Sequence, residues 1–274
     1  MSFADKTFVL GIGAQKAGTS WLRNYLLTRE DTYIFPAEMH FFDSKYGPES
    51  ERRRARLLRK RGETGQNNND LLDLKLADLE REDDGGSYRT FFEERVPDAT
   101  RLFGEITPSY ALLGESGFRA VRRLFPDTRV IFIMRDPVDR FYSHVRMERD
   151  RRRAKGRPQR NPLALLDEFS YFGKSLYQST INDLERVFSP NTIIYLFYET
   201  LFRPETIRDL CGFLDVEYTP ADCEGVINAG GPREDIPLEI DETVRTRFEA
   251  TYAFCRSRFG ARLPKNWRLH NDDN

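Results

Sequence analysis

Residues 10–20, "LGIGAQKAGTS", bring two glycines, a lysine and two neighbouring hydroxyls into one short stretch. That set can hold phosphate: glycines let backbone N–H groups approach oxygens closely, an ammonium adds charge, and hydroxyls donate further bonds. Gly13, Gly18 and Ser20 fit the nucleotide-loop template G-x-x-x-x-G-K-[ST], but Thr19 holds the lysine position and Lys16 comes three residues early. A second cluster is "VIFIMRDPVDRFYSH", in which a β-rich run ends at Arg135 and Asp136, with Ser143 and His144 two helical turns further on. In ATP and GTP enzymes an aspartate ending such a strand completes a Mg²⁺ site. Arg135 would instead bring positive charge directly to a phosphate, in bidentate geometry. A third cluster, "AEMHFFD", places Glu38, His40 and Asp43 beside Phe41 and Phe42. A carboxylate kept dry by apolar walls is suited to general-base work.

These side chains need a scaffold, and the pattern supplies one. "TFVLGIG" is a short apolar run that reads as a buried parallel strand. "TSWLRNYLLTR" follows at helical spacing, with Trp21, Leu22, Tyr25 and Leu26 on one face and Thr19 or Ser20 as the expected N-cap. A second unit has a helix over 118–125, a turn at Pro126-Asp127 and the strand "RVIFIM". A third runs from the helix in "SLYQSTINDLERVF" through Ser-Pro-Asn to the strand "TIIYLFY", and "PETIRDLCGFLDVE" and "IDETVRTRFEATYAFCRSRF" are amphipathic helices. Strands alternating with helices predict an α/β protein: a P-loop-like three-layer α/β/α sandwich with a central parallel sheet. We expect one domain over residues 1–274, with insertions at about 44–90 and 149–161. The first carries "ERRRARLLRKR", a polar break and a helix-like "LLDLKLADLERE"; the second is the basic run "RDRRRAKGRPQRN". Both read as solvated or mobile surface segments, the second alternatively as a positive rim for an anionic ligand.

Composition narrows the function classes. A hydrophobic fraction of 39% and 21 Phe with 12 Tyr can build a substantial core. A net charge of −1 gives no global case for nucleic acid, so any basic site is local. No basic leader precedes an apolar stretch, and no run approaches the roughly 20 apolar residues that span a bilayer. A soluble, cytoplasmic protein without a membrane span is expected. Cys211, Cys223 and Cys255 are odd in number, far apart and without C-x-x-C, which disfavours a disulfide framework or a structural zinc.

At the first two clusters the chain resembles the sulfotransferases that use 3′-phosphoadenosine 5′-phosphosulfate (PAPS). "GAQKAGTSWL" is similar to their 5′-phosphosulfate loop and "RVIFIMRDPVDRFYSH" to their 3′-phosphate motif. "FPAEMHFFD" resembles the P-K-E-x-H-F-F-D segment of the carbohydrate-type branch, with Ala37 where lysine is usual. "GGSYRTFFEE", "FGEITPSYALL" and "PNTIIYLFYETLFRPETIRDLCGFLDV" resemble further family segments in the same order, so the likeness runs from about residue 8 to about residue 220.

The resemblance implies roles. Gln15, Lys16, Ala17, Gly18, Thr19, Ser20 and Trp21 would hold the phosphosulfate, with Lys16 stabilising charge on the departing phosphate. Arg135 and Ser143 would bind the 3′-phosphate, joined by Arg233 from "NAGGPREDIP". Glu38 would be the general base, and His40 a second proton handler, a support for Glu38 or a purely structural histidine. Asp43 would orient these groups or bind acceptor, and Glu105, Thr107, Ser109 and Tyr110 would line the acceptor side. His144 reads as helix packing, and Lys174 or Arg146 are candidates to replace the lysine missing at Ala37. The implied co-substrate is PAPS, with no metal, and the acceptor a small-molecule, lipid or carbohydrate hydroxyl or amine. Two other readings stay open: a Mg²⁺-ATP-dependent kinase using Gly13–Ser20 and Asp136, and a non-catalytic anion- or carbohydrate-binding module.

Overall fold

Strand β1 (Thr7–Gly13) is buried from Phe8 to its end, and this continuous burial requires cover on both faces of the sheet. The computed structural model describes residues 3, 5–63, 73, 85–221 and 238–268. In it β1 is the central strand of a parallel sheet of order β2-β3-β1-β4-β5, with β2 at Thr32–Ile34, β3 at Leu102–Ile106, β4 at Thr128–Met134 and β5 at Ile193–Phe197. Phe8 lies opposite both Phe103 on β3 and Thr128 on β4. The expected parallel α/β architecture is therefore present, with β1, β4 and β5 where the sequence pattern puts them.

Two strands escape the pattern. Strand β2 is three residues long, and in β3 the apolar run is broken by Gly104 and Glu105. Gly104 is required there: a Cβ at that position would lie 2.0 Å from the carbonyl oxygen of Val9, so only glycine lets β3 pair this closely with β1.

Helices follow each strand: α1 (Thr19–Leu27), α2 (Ser50–Glu63), α3 (Gly86–Glu93), α4 (Gly114–Leu124) and α5 (Pro137–Ala154). Beyond them come α6 (Tyr177–Glu185), α7 (Pro204–Leu214), α8 (Leu238–Arg247) and α9 (Glu249–Phe259). The expected long helix near the end is thus two, divided at Phe248. The cap of α1 is Gly18, left-handed at φ 88°, rather than Thr19 or Ser20.

The peripheral segments also differ from expectation. Tyr88 and Phe92 of α3 are fully buried around Phe8, which also stacks on Phe125 at 4.1 Å, so the end of segment 44–90 belongs to the core. Residues 149–154 are the last turns of α5, a continuous helix rather than a separate run. The segment "LLDLKLADLERE" lies, apart from Asp73, outside the described residues. No helix among the described residues is long and apolar enough to cross a membrane.

Candidate active site

In a parallel sheet the crevice forms at the carboxyl ends of strands, where the chain leaves one central strand to opposite sides. Here that strand is β1, flanked by β3 and β4. The loop after β1 carries Lys16, the residue after β4 is Arg135, Pro108 follows β3 and Tyr198 follows β5. Together they bound a pocket of about 270 Å³.

The loop backbone is shaped for close approach. Lys16 and Gly18 both have positive φ, 74° and 88°, and a Cβ on Gly18 would meet Leu201 at 2.7 Å. Helix α1 then starts with no side-chain cap, leaving the positive end of its dipole for an external anion. Gln15, Lys16, Gly18, Thr19, Ser20 and Trp21 line the pocket, as do Arg135 and Ser143. Ala17 does not; it is wholly buried in the core. Arg233 lies outside the described residues.

Two cations converge in this pocket. The Arg135 guanidinium donates to the Lys16 carbonyl at 3.1 Å and stacks over the Tyr198 ring at 4.5 Å, while its own carbonyl accepts from the Tyr177 hydroxyl at 2.6 Å. Burial, then the charges of Arg135 and Arg146, pull the Lys16 pKa below the usual ammonium range. An anion bound between Lys16 and Arg135 would relieve that crowding. Asp136, by contrast, is committed: its carboxylate caps α5 through the Val138 and Asp139 N–H groups and accepts from the Tyr252 hydroxyl at 2.9 Å. This engagement as a buried helix cap takes it away from the role a Mg²⁺-binding aspartate would need.

Glu38 stands between the anion pocket and a larger cleft of about 1160 Å³, lining both together with Gln15 and Met147. His40, held at φ 53°, bridges two carboxylates, its Nε2 3.1 Å from Glu38 and its Nδ1 2.9 Å from Asp43. Burial opposes the imidazolium, but the hydrogen bonds to Asp43 and Glu38 outweigh it and raise the His40 pKa. Asp43 is correspondingly lowered: burial pushes its carboxyl up, but His40, Arg53 and the Ser109 hydroxyl more than offset that. Ser109 donates to Asp43 at 2.5 Å and faces the cleft with His40.

Segment 38–42 is pinned from behind by Glu105. Its Oε1 accepts from the hydroxyls of Tyr88 at 2.5 Å and Tyr110 at 2.8 Å, and its Oε2 from Thr107 at 2.5 Å and the Met39 N–H at 3.2 Å. The Tyr110 oxygen accepts in turn from the Phe41 N–H at 2.9 Å. Glu105, Thr107 and Tyr110 are fully buried, so the expectation that they touch an acceptor is corrected: they hold the segment that carries Glu38. Asp43, also buried, contacts His40, Ser109 and Arg53 rather than opening onto the cleft, which fits the orienting alternative and not acceptor binding.

His144 stacks on Tyr171 at 4.2 Å and is held neutral, its pKa pressed to about 2 by burial and then by Arg140 and Lys174; this is the packing role its position implied. Lys174 lines the cleft and donates to the Gln15 side chain at 2.7 Å, its pKa pulled down to about 8 by burial and then by Arg140. Arg146 lowers the Lys16 pKa through its charge and lines neither space. The sequence reading misses Tyr198, Phe202 and Met147 in the pocket wall. For Tyr198 a signal exists, since it is the last residue of the predicted strand "TIIYLFY" in a parallel sheet.

A glycine loop, two converging cations and a carboxylate at the mouth of a second cleft define an α/β group-transfer site for a phosphorylated donor. Comparison with known proteins gives the class its name. The profile of the sulfotransferase family matches residues 9–220, and the chain belongs to that PAPS-dependent family. In structure it is similar to a sulfotransferase from Alicyclobacillus acidocaldarius, at 20% identity and a TM-score of 0.63 over 97% of this chain and 99% of that one. It is also similar to the sulfotransferase domain of the curacin biosynthetic pathway, at 16% identity and 0.52 over 90% and 99%. No curated protein sequence matches significantly.

Proposed function

We propose that this chain moves a sulfuryl group from PAPS to a hydroxyl or amine of an acceptor held in the larger cleft, with Glu38 as general base. The observation that carries the reading is the position of Glu38 and Gln15 on the wall common to the anion pocket and the cleft. A nucleophile in the cleft and a leaving group in the pocket would then meet in line beside Glu38. The acceptor proton passes to Glu38 as the new bond to sulfur forms. The bond from sulfur to the bridging oxygen breaks, and its electron pair leaves on adenosine 3′,5′-bisphosphate.

The residues present suit the donor. Lys16, on the loop, meets charge growing on the bridging oxygen, and the uncapped start of α1 meets the 5′-phosphate. Arg135, preorganised by the Lys16 carbonyl and Tyr198, takes the 3′-phosphate with Ser143. His40, tied to Asp43, holds the Glu38 carboxylate by its Nε2–H. Glu38 acts as base from that supported position. Lys174 supplies the cation next to Gln15 that Ala37 cannot. The chain reads as one domain, with α2 and the end of α5 elaborating the cleft mouth. We assign it to the cytoplasm, a reading supported by the free, buried thiols of Cys211 and Cys255.

The test has two arms. Adenosine 3′,5′-bisphosphate should raise the melting temperature of the purified chain without added metal, and labelled PAPS should yield a sulfated product in an acceptor panel. Glu38→Gln should lower turnover by about 10²- to 10⁴-fold and leave nucleotide affinity nearly unchanged. A chain that ignores the nucleotide, or a Glu38→Gln variant of full activity, overturns the assignment.

A further inference from the structure

The larger cleft is strongly basic within a chain of net charge −1: ten of its lining residues are Arg or Lys and four are Glu. The cations form two rows. Arg52, Arg56 and Arg59 recur at i, i+4 and i+7 along α2, on one helix face, and Arg151, Lys155 and Arg157 continue from the end of α5. The rows face a common space. The carboxyl of Glu168, held down chiefly by its bond to Arg160, is lowered further by Arg52 from α2. Lys174, beneath, is affected by Glu49 and Arg53 of the same side.

Three of the four glutamates of the cleft are used up by neighbouring arginines. Glu49 pairs with Arg52 at 3.9 Å and Arg53 at 3.6 Å, Glu148 with Arg151 at 3.8 Å and Arg152 at 3.7 Å, and Glu168 with Arg160. Among the described residues no carboxylate pairs with Arg56, Arg59, Lys155 or Arg157. Holding several uncompensated cations around one concavity costs self-repulsion, which a multiply charged anionic ligand removes. Four such positive charges exceed what one carboxylate or phosphate group can balance. The volume of about 1160 Å³ also exceeds the roughly 300–1,000 Å³ of ordinary small-molecule sites, so the ligand is extended.

We infer that the cleft binds an extended, polyanionic acceptor: a molecule that carries, besides the hydroxyl or amine to be sulfated, at least two carboxylate, phosphate or sulfate groups, seated between the α2 and α5 rows. This deepens the proposed function and rests on it for the word acceptor, whereas the binding of the polyanion stands on the cleft alone.

The experiment uses the full chain saturated with adenosine 3′,5′-bisphosphate, so that the anion pocket is filled. Binding of inositol hexakisphosphate, tetragalacturonate and neutral maltotetraose is then measured by calorimetry at about 50 and about 200 mM salt. The two anionic probes separate phosphate from carboxylate recognition. At least one should bind, more weakly at the higher salt, and maltotetraose should not. The combined variant Arg56→Ala, Arg59→Ala, Lys155→Ala alters exposed side chains only, and should bind the polyanion about tenfold or more weakly at unchanged nucleotide affinity.

Equal binding of maltotetraose, no binding of either anion, or an unchanged variant overturns the inference; so does a cleft that takes only an acidic protein. If the nucleotide itself fails to bind, the donor assignment falls. The polyanion arm, run without nucleotide on wild type and variant, then still reads the cleft.

Discussion

Arg135→Ala tests the donor pocket most sharply, because the structure gives this side chain two separable duties. One is internal: its guanidinium donates to the Lys16 carbonyl at 3.1 Å and so steadies the loop. The other is the proposed contact with a 3′-phosphate. Losing the internal bond costs about 0.5–1.5 kcal/mol and weakens any nucleotide that uses the loop. Losing a charge-assisted bond to phosphate costs a further 1.5–3 kcal/mol or about 10- to 150-fold in affinity, but only for ligands bearing that phosphate. Calorimetric titration of wild type and variant with adenosine 3′,5′-bisphosphate and with adenosine 5′-phosphate closes a cycle in which the loop effect cancels. The expected coupling is the full 10- to 150-fold. Arg135→Lys should recover only part of it, since an ammonium keeps the charge but loses the planar fork stacked on Tyr198. Equal weakening of both nucleotides would refute the assignment and leave Arg135 as a loop support only.

Two further outcomes follow from the buried groups. Glu105→Ala strips the acceptor from the Tyr88 and Tyr110 hydroxyls, both fully buried, at about 1–3 kcal/mol for each orphaned group, and so about 2–6 kcal/mol in all. Urea unfolding reads this directly, and a loss below about 1 kcal/mol would mean that the network behind Glu38 is not holding it. Lys174 has a native pKa of about 8 against an ordinary 10.5, so between those values the unfolded chain binds more protons and native stability rises with pH. Lys174→Met should abolish that rise when unfolding midpoints are compared at about pH 7.5 and 9.5; an identical slope in the variant would assign it to other groups.

The legible parts of this protein were those in which chemistry and local pattern coincide. Lys16, Thr19 and Ser20 declare themselves beside glycines between an apolar strand and an amphipathic helix, and Arg135 announces itself at the end of the most β-like run. Strands β1, β4 and β5 are apolar throughout because both sheet faces are covered, and that is visible in a single sequence. Strand β3 was not, because Gly104 answers to the Val9 carbonyl, a neighbour 95 positions away in the chain.

Side-chain direction is what the linear pattern withheld. Glu105 and Glu38 are both glutamates beside aromatic residues, yet one is sealed among tyrosine hydroxyls and the other faces two cavities; only the packing of β3 against segment 38–42 separates them. The cap of α1 was misjudged for a related reason, since Thr19 has the right chemistry but Gly18 makes the left-handed turn. The arginines of α2 looked like a solvated face because nothing local reveals that this helix folds opposite the end of α5. Composition and motif order thus determined the chemistry the chain could perform on a phosphorylated donor. The long-range strand order determined where that chemistry happens, by gathering Lys16, Arg135, Ser109 and Tyr198 at four carboxyl ends of one parallel sheet.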